Sequence, residues 1–277
     1  MCSIIVSMRR RAVAGSTEPE AAGYPTGRLR LEQGRTLGIQ VGALVVFVLV
    51  WWAGALVTPQ NLLPQPPAVF EVLVADASSG RVFELIWQSL RHYVPGLLIG
   101  SAFGMIVGIL VGWSRTAELS VGTVAGILRP VPPLAWIPFA IIWFGLNDRG
   151  AAFIIGIVAF WINYYNAESG VKGVDDQLLE VGQSLGTKSD LGLIKRIVLP
   201  SAMPELFTGF RTAAGQAWMV MVAAELLGVP GIGKHLWDAA NFLQMQVVIA
   251  YMLVIGILFL LSDRLIKLVE ARTLAWR

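Results

Sequence analysis

YVPGLLIGSAFGMIVGILVGW, residues 93–113, carries no charged side chain and places glycine at 96, 100, 104, 108 and 112. At 1.5 Å per residue a helix over this stretch reaches about 30 Å, the thickness of the hydrocarbon core of a bilayer. Glycine at every fourth position falls on one helix face. There the missing side chains let another helix backbone approach closely. The stretch therefore predicts a membrane span with a packing groove, whose partner helix is either internal or supplied by a second copy.

The rest of the chain agrees with that reading. It is 56% hydrophobic and only 14% charged, whereas soluble domains average about 25% charged residues. The fold class is all-α, a polytopic membrane protein. Six apolar segments are expected to span: Thr36–Val57, Tyr93–Trp113, a segment after Arg115 and Glu118, then about Ala151–Ala167, Leu206–Leu227 and Gln244–Leu261. Residues 1–35 are polar and lack helical periodicity, so they read as a mobile cytoplasmic tail. Met1 to Met8 is too short for the apolar part of a cleaved signal peptide. Residues 36–277 form the membrane domain. Pro59–Gly80 is rich in turn formers and reads as an external loop with one short surface helix around Ala68–Ala75.

Several residues inside the spans are chemically conspicuous. The third span contains Arg129-Pro130-Val131-Pro132-Pro133-Leu134-Ala135-Trp136-Ile137-Pro138, and its prolines remove backbone donors and break the helix. Broken backbone at membrane depth is tolerated where it is buried in protein or lines a wet cavity. Arg129 and Trp136 are thus candidates for a translocation pathway, although an arginine here serves equally well as an interface anchor. Asn163 lies in the polar-aromatic end of the fourth span, which suits either a route or an interfacial belt. In the fifth span Arg211, Gly215, Trp218, Val222 and Glu225 share one stripe, and Trp218 and Glu225 join the pathway candidates. Arg211 and Glu225 lie about 21 Å apart along the axis, so each needs its own partner.

Between the fourth and fifth spans lies a charged island, Gly170–Pro204, within a loop of about residues 168–205. With the N-terminus inside, the positive-inside rule puts the tail, the Arg115 loop, this island (Lys172, Lys188, Lys195, Arg196) and the C-terminus in the cytoplasm. Arg81, Arg91, Arg149 and Lys234 remain outside.

Enzyme chemistry finds little support. Gly228-Val229-Pro230-Gly231-Ile232-Gly233-Lys234-His235 approaches a phosphate-binding P-loop, but His235 replaces the required Ser or Thr and a membrane helix precedes it where a strand is needed. It reads as a glycine-rich turn. His92 and His235 are the only histidines and Cys2 the only cysteine, so neither a metal site nor another cofactor is expected. Lys and Arg are scattered, with a net charge of +3, which leaves no footprint for nucleic acid.

The central island carries a family resemblance. Glu180-Val181-Gly182, then Gly186, then Ile197-Val198-Leu199-Pro200 resembles the EAA loop of permease subunits of binding-protein-dependent ABC importers. Arg129-Pro130-Val131-Pro132, Trp143-Phe144-Gly145 and Ala224-Glu225-Leu226-Leu227 followed by Gly231-Ile232-Gly233 extend the likeness over about Leu62–Arg272, most closely to the nitrate, sulfonate, taurine and bicarbonate branch. Val181 and Gly182 stand where the family has two alanines, and Gly186 to Ile197 is one residue longer than usual. The resemblance implies a type I importer permease in the bacterial cytoplasmic membrane with both termini in the cytoplasm. It implies three partners besides the lipid bilayer: a second copy of the chain, two ATP-binding cassette ATPase subunits and an extracytoplasmic solute-binding protein. Coupling to the ATPase would fall on Glu180, Gly182, Gly186, Lys188, Asp190 and Pro200. The cargo would be a small organic or inorganic anion such as a sulfonate, taurine or nitrate. The alternative is a secondary transporter or channel that works without ATP.

Overall fold

The computed structural model describes the backbone of residues 26–187 and 189–273, and the side chains of residues 38–187 and 189–273. All regular elements among these residues are helical. Residues 1–51 and 52–277 form two compact units. The described part of the first is the beginning of α1 (Thr26–Val57), whose stretch Gly38–Val57 is long and apolar enough to cross a membrane. The helix starts at Thr26 rather than Thr36, because Arg28 to Gln33 are all good helix formers. The remainder of the expected tail lies outside the described residues.

In the second unit the end of α1 is followed by α2 (Pro66–Ser78), longer than the surface helix expected there. Pro66 and Pro67 occupy its first turn, where a missing N–H breaks no helical hydrogen bond. The packing centre is the pair α3 (Arg81–Trp113) and α7 (Asp148–Lys172). The glycine face of α3 lies against α7. A Cβ on Gly96 would stand 2.5 Å from Ala152 O, and one on Gly100, Gly104 or Gly108 would overlap the carbonyl oxygen of Gly156, Phe160 or Tyr164. The groove's partner is therefore internal. Each four-residue step along α3 meets a four-residue step along α7 in the same direction, so the two helices run parallel.

That parallel register decides how the intervening segment is read. It comprises α4 (Arg115–Ala117), a π turn over Glu118–Gly122, α5 (Thr123–Leu128), a 3-10 turn over Pro133–Trp136 and α6 (Ile137–Phe144). Its two halves are bent by 93°. Pro130, Pro132 and Pro133 donate no backbone hydrogen bond, and each disfavours helical geometry in the residue before it. At one end Glu118 pairs with Lys172 at 2.7 Å, and at the other Asp148 pairs with Arg91 at 3.2 Å. The chain must travel back along the whole α3–α7 pair between those points. The bent segment is thus a broken span, not a re-entrant loop.

The remaining helices are α8 (Asp176–Ser184), α9 (Asp190–Leu193), a π turn over Ile194–Val198, α10 (Leu199–Glu225), α11 (Ile232–Asn241) and α12 (Met245–Thr273). By length and apolar composition α1, α3, α7 and α12 can span, and the bent pair makes a fifth. α10 is less apolar because it carries Glu205, Thr208, Arg211, Thr212 and Gln216. Its ends still reach both ends of the α3–α7 pair: Ala202 packs on Gly170, and Glu225 meets His92. It thus runs the length of that pair. Tyr93, Ile155, Ala213, Ala217, Trp218 and Met221 form the core between α3, α7 and α10.

Candidate functional site

The charged loop between α7 and α10 is a built structure. Asp175 caps α8 by accepting from Gln177 N at 2.9 Å, and Asp176 in the first turn complements the helix dipole. The helix ends at Gly186, whose φ of +95° is the left-handed conformation that favours glycine. Gly186 N donates to Gln183 O at 3.0 Å and Thr187 N to Gly182 O at 3.1 Å, the hydrogen-bond pair of a Schellman cap. Ser189 accepts from Gly192 N at 3.2 Å and starts α9.

Gly182 is buried against the turn before α10, where a Cβ would meet the terminal Cδ1 of Ile197. The π turn at Ile194–Val198 immediately precedes Leu199-Pro200. Its i→i+5 ring holds one residue more than an α turn. Glu180, Gly186, Asp190 and Pro200 are exposed, as are the apolar side chains of Leu178, Val181, Leu185 and Leu191. Lys188 lies outside the described residues.

The pathway candidates separate into two groups. Arg129 is exposed and its guanidinium sits 4.4 Å above the Tyr165 ring. Trp136 lines a cavity of about 740 Å³ between α3, α6 and α7, together with Trp143, Phe153, Phe160, Trp161 and, at α7's first turn, Arg149. Asn163, Trp218 and Glu225 instead lie inside the subunit. Asn163 Nδ2 donates to Ser101 Oγ at 3.0 Å and to Ala159 O at 2.8 Å. Trp218 stacks on Tyr93 with ring centroids 4.3 Å apart.

A polar face of α10 was not among the candidates. Thr208, Arg211, Thr212, Gln216 and Met219 share one side of α10 and are all exposed, while Ala213, Ala214 and Ala217 on the opposite face are buried. The polar residues line a second cavity of about 430 Å³ against Phe259 and Asp263 of α12. Asp263 accepts from Arg211 and pairs with Lys267, each at 2.7 Å. Hydroxyl and amide groups midway along a spanning helix are costly against lipid. This face is suited to water, to solute or to a second chain.

Glu225 closes α10 inside a buried polar cluster. Its Oε1 lies 2.8 Å from His92 Nε2, and its Oε2 accepts from Gly233 N at 2.5 Å. A Cβ on Gly231 would overlap the carboxylate, and one on Gly233 would stand 2.9 Å from it. The glycines of the P-loop-like turn thus make room for the protein's own carboxylate. Ser89 Oγ accepts from Ile232 N at 3.0 Å. Beyond His92, Nδ1 lies 3.4 Å from Asp148 Oδ1, and Asp148 pairs with exposed Arg91. His92 and Asp148 are missed by a motif search because they lie on separate helices with no shared spacing. Among the described residues no three His, Cys, Asp or Glu side chains are grouped to hold a metal ion.

Comparison with known proteins bears on this arrangement. Residues 100–275 match the family described as "Binding-protein-dependent transport system inner membrane component". The chain is 32% identical over 274 residues to the putative aliphatic sulfonates transport permease protein SsuC of Bacillus subtilis, covering 98% of each. It is 34% identical over 251 residues to the taurine transport system permease protein TauC of Escherichia coli, covering 87% of this chain and 90% of that one. A solved structure of the MetNI methionine ABC transporter in inward facing conformations shares the fold, with a TM-score of 0.57 at 16% identity over 68% of this chain and 95% of that chain.

Proposed function

The chain belongs to the family of binding-protein-dependent transport system inner membrane components, and from that premise we propose that it forms the translocation pathway of an ABC importer for a small anion, of the kind its sulfonate and taurine relatives are named for. It is a multi-pass membrane transport component and not an enzyme. ATP is hydrolysed by a separate ATPase, and the solute arrives on an extracytoplasmic binding protein. In this reading the end of the molecule bearing α8, Arg115, Lys172, Lys195 and Arg196 faces the cytoplasm, with both chain termini, and the end bearing Arg81, Arg91, Arg149 and Lys234 faces outward.

One observation carries the mechanism: α8 is seated on the same uninterrupted helical run, Asp190 through Glu225, that bears the exposed polar face of α10. An ATPase that grips α8 through Leu178, Val181 and Leu185, with Glu180 and Asp190 at the rim, pushes on α9 and the π turn. α10 is the continuation of that turn, so the push moves Thr208, Thr212 and Gln216. Two copies facing each other across these residues would enclose a polar route between them, which would keep the hydroxyl and amide groups away from lipid. Arg129 and Trp136 border the break in the third span on a different face. We assign Asn163, Trp218 and Glu225 to holding α10 in place, since their side chains lie within the subunit.

The reading is tested by reconstituting the chain with its ATPase and binding protein in liposomes and following uptake of taurine, an alkanesulfonate and nitrate. Uptake of at least one that requires ATP supports it. Uptake by this chain alone, without ATP, contradicts it.

A further inference from the structure

Three elements meet at the Glu225 carboxylate, which is joined to a fourth through His92. It terminates α10, faces His92 of α3, and accepts the Gly233 amide at the start of α11, while His92 reaches Asp148 at the start of α7. Glu225, His92 and Ser89 are fully buried. Basic and acidic groups alternate along the set, Arg91 against Asp148, Asp148 against His92 and His92 against Glu225. Removing one partner of such a buried set leaves the other unpaired, which is strongly destabilising.

The contacts of the surrounding chain depend on this carboxylate. Gly231 and Gly233 are crowded against it, and the backbone of the loop is further tied to α3 through Ile232 N and Ser89 Oγ. α11 follows this loop directly and leaves Trp237 and Phe242 exposed. Glu225 thus links the end of α10 directly to the first turn of α11.

We propose that Glu225 and His92 are positioning residues of the transport cycle: they clamp the outer end of α10 to α3 and to the loop before α11, so that a movement begun at α8 reaches the outward surface of the permease. The proposal rests on the ABC-permease reading given above. In it the glycine-rich turn is the receptor for an internal carboxylate.

The test is hydrogen–deuterium exchange on the assembled complex of permease and ATPase in nanodiscs, with and without Mg-ATP and vanadate, comparing residues 176–184 with residues 228–241. In the wild type both segments should change protection when nucleotide is trapped. In Glu225→Gln and His92→Gln the change at 176–184 should persist while that at 228–241 is lost, and the Gly233 amide should exchange at least about tenfold faster without nucleotide. Ser89→Ala, which removes a hydrogen bond from the same loop but leaves Glu225 untouched, should keep the nucleotide response of 228–241. A wild type in which 176–184 responds and 228–241 does not overturns the clamp while sparing the coupling loop. A wild type in which 176–184 does not respond overturns the ABC-permease reading itself. Should the substituted chains fail to assemble, the wild-type comparison still decides.

Discussion

Gly100 of α3 and Gly156 of α7 meet backbone to backbone, so closely that a Cβ on Gly100 would overlap the Gly156 carbonyl. The same contact recurs one turn later at Gly104 and Phe160. Since the obstructing atoms belong to backbone, they cannot rotate away. Gly100→Ala and Gly104→Ala should each cost about 1–3 kcal/mol through overpacking, read as a lower unfolding temperature in detergent. Gly126→Ala, where nothing lies within 4 Å of the added methyl, should be neutral or stabilising by up to about 1 kcal/mol.

Gly186 tests the cap of α8 separately from its surface. Its left-handed φ of +95° penalises a branched residue by about 1–2 kcal/mol, whereas asparagine visits this conformation readily. Gly186→Asn should retain ATPase binding within about twofold. Gly186→Val should reduce it by tenfold or more, with normal membrane insertion. Equal retention by the two variants would show that the cap is not needed for docking.

Along the polar face of α10, Gln216→Leu combined with Thr212→Val should lower uptake at least tenfold while leaving the amount of bound ATPase unchanged. Substitution of Val124, exposed on α5, by Leu should leave both unchanged. Unaltered uptake in the first variant would remove this face from the pathway.

His235 gives a pH dependence with a defined sign. Burial, and then the nearby Arg81 guanidinium, push its pKa below the ordinary 6.5. The folded state therefore takes up a proton less readily than the unfolded chain. The contribution to stability is complete above pH 6.5 and falls as pH drops toward the lowered folded value. Melting temperature should decrease between pH 7 and pH 5, and His235→Asn should show a smaller decrease.

Much of this architecture was legible because its signals are local. The four-residue glycine repeat announces a close helix contact, and the prolines from Pro130 to Pro138 announce a broken span. The charged island announces a loop outside the bilayer. Periodicity failed where coverage changes along one helix. Arg211, Trp218 and Glu225 share a stripe of α10, yet Arg211 faces α12 and open space, Trp218 stacks on Tyr93, and Glu225 is enclosed by α3 and the α11 loop. A stripe fixes an angle about the axis and says nothing about which neighbour stands at that angle. The Glu225–His92 contact was invisible for a related reason, since it joins residues on α3 and α10 that only the tertiary fold brings together.

The most direct test of the central claim, that α8 is where ATP hydrolysis enters, is the ATP hydrolysis retained when the chain is purified in detergent from its own membranes. The wild type should retain an ATPase and its activity. Glu180→Lys, which reverses one exposed charge on α8, should lose at least about ninety per cent of that activity with an unchanged yield of permease. Purification of the wild type without an ATPase, or full activity in Glu180→Lys, would contradict the account.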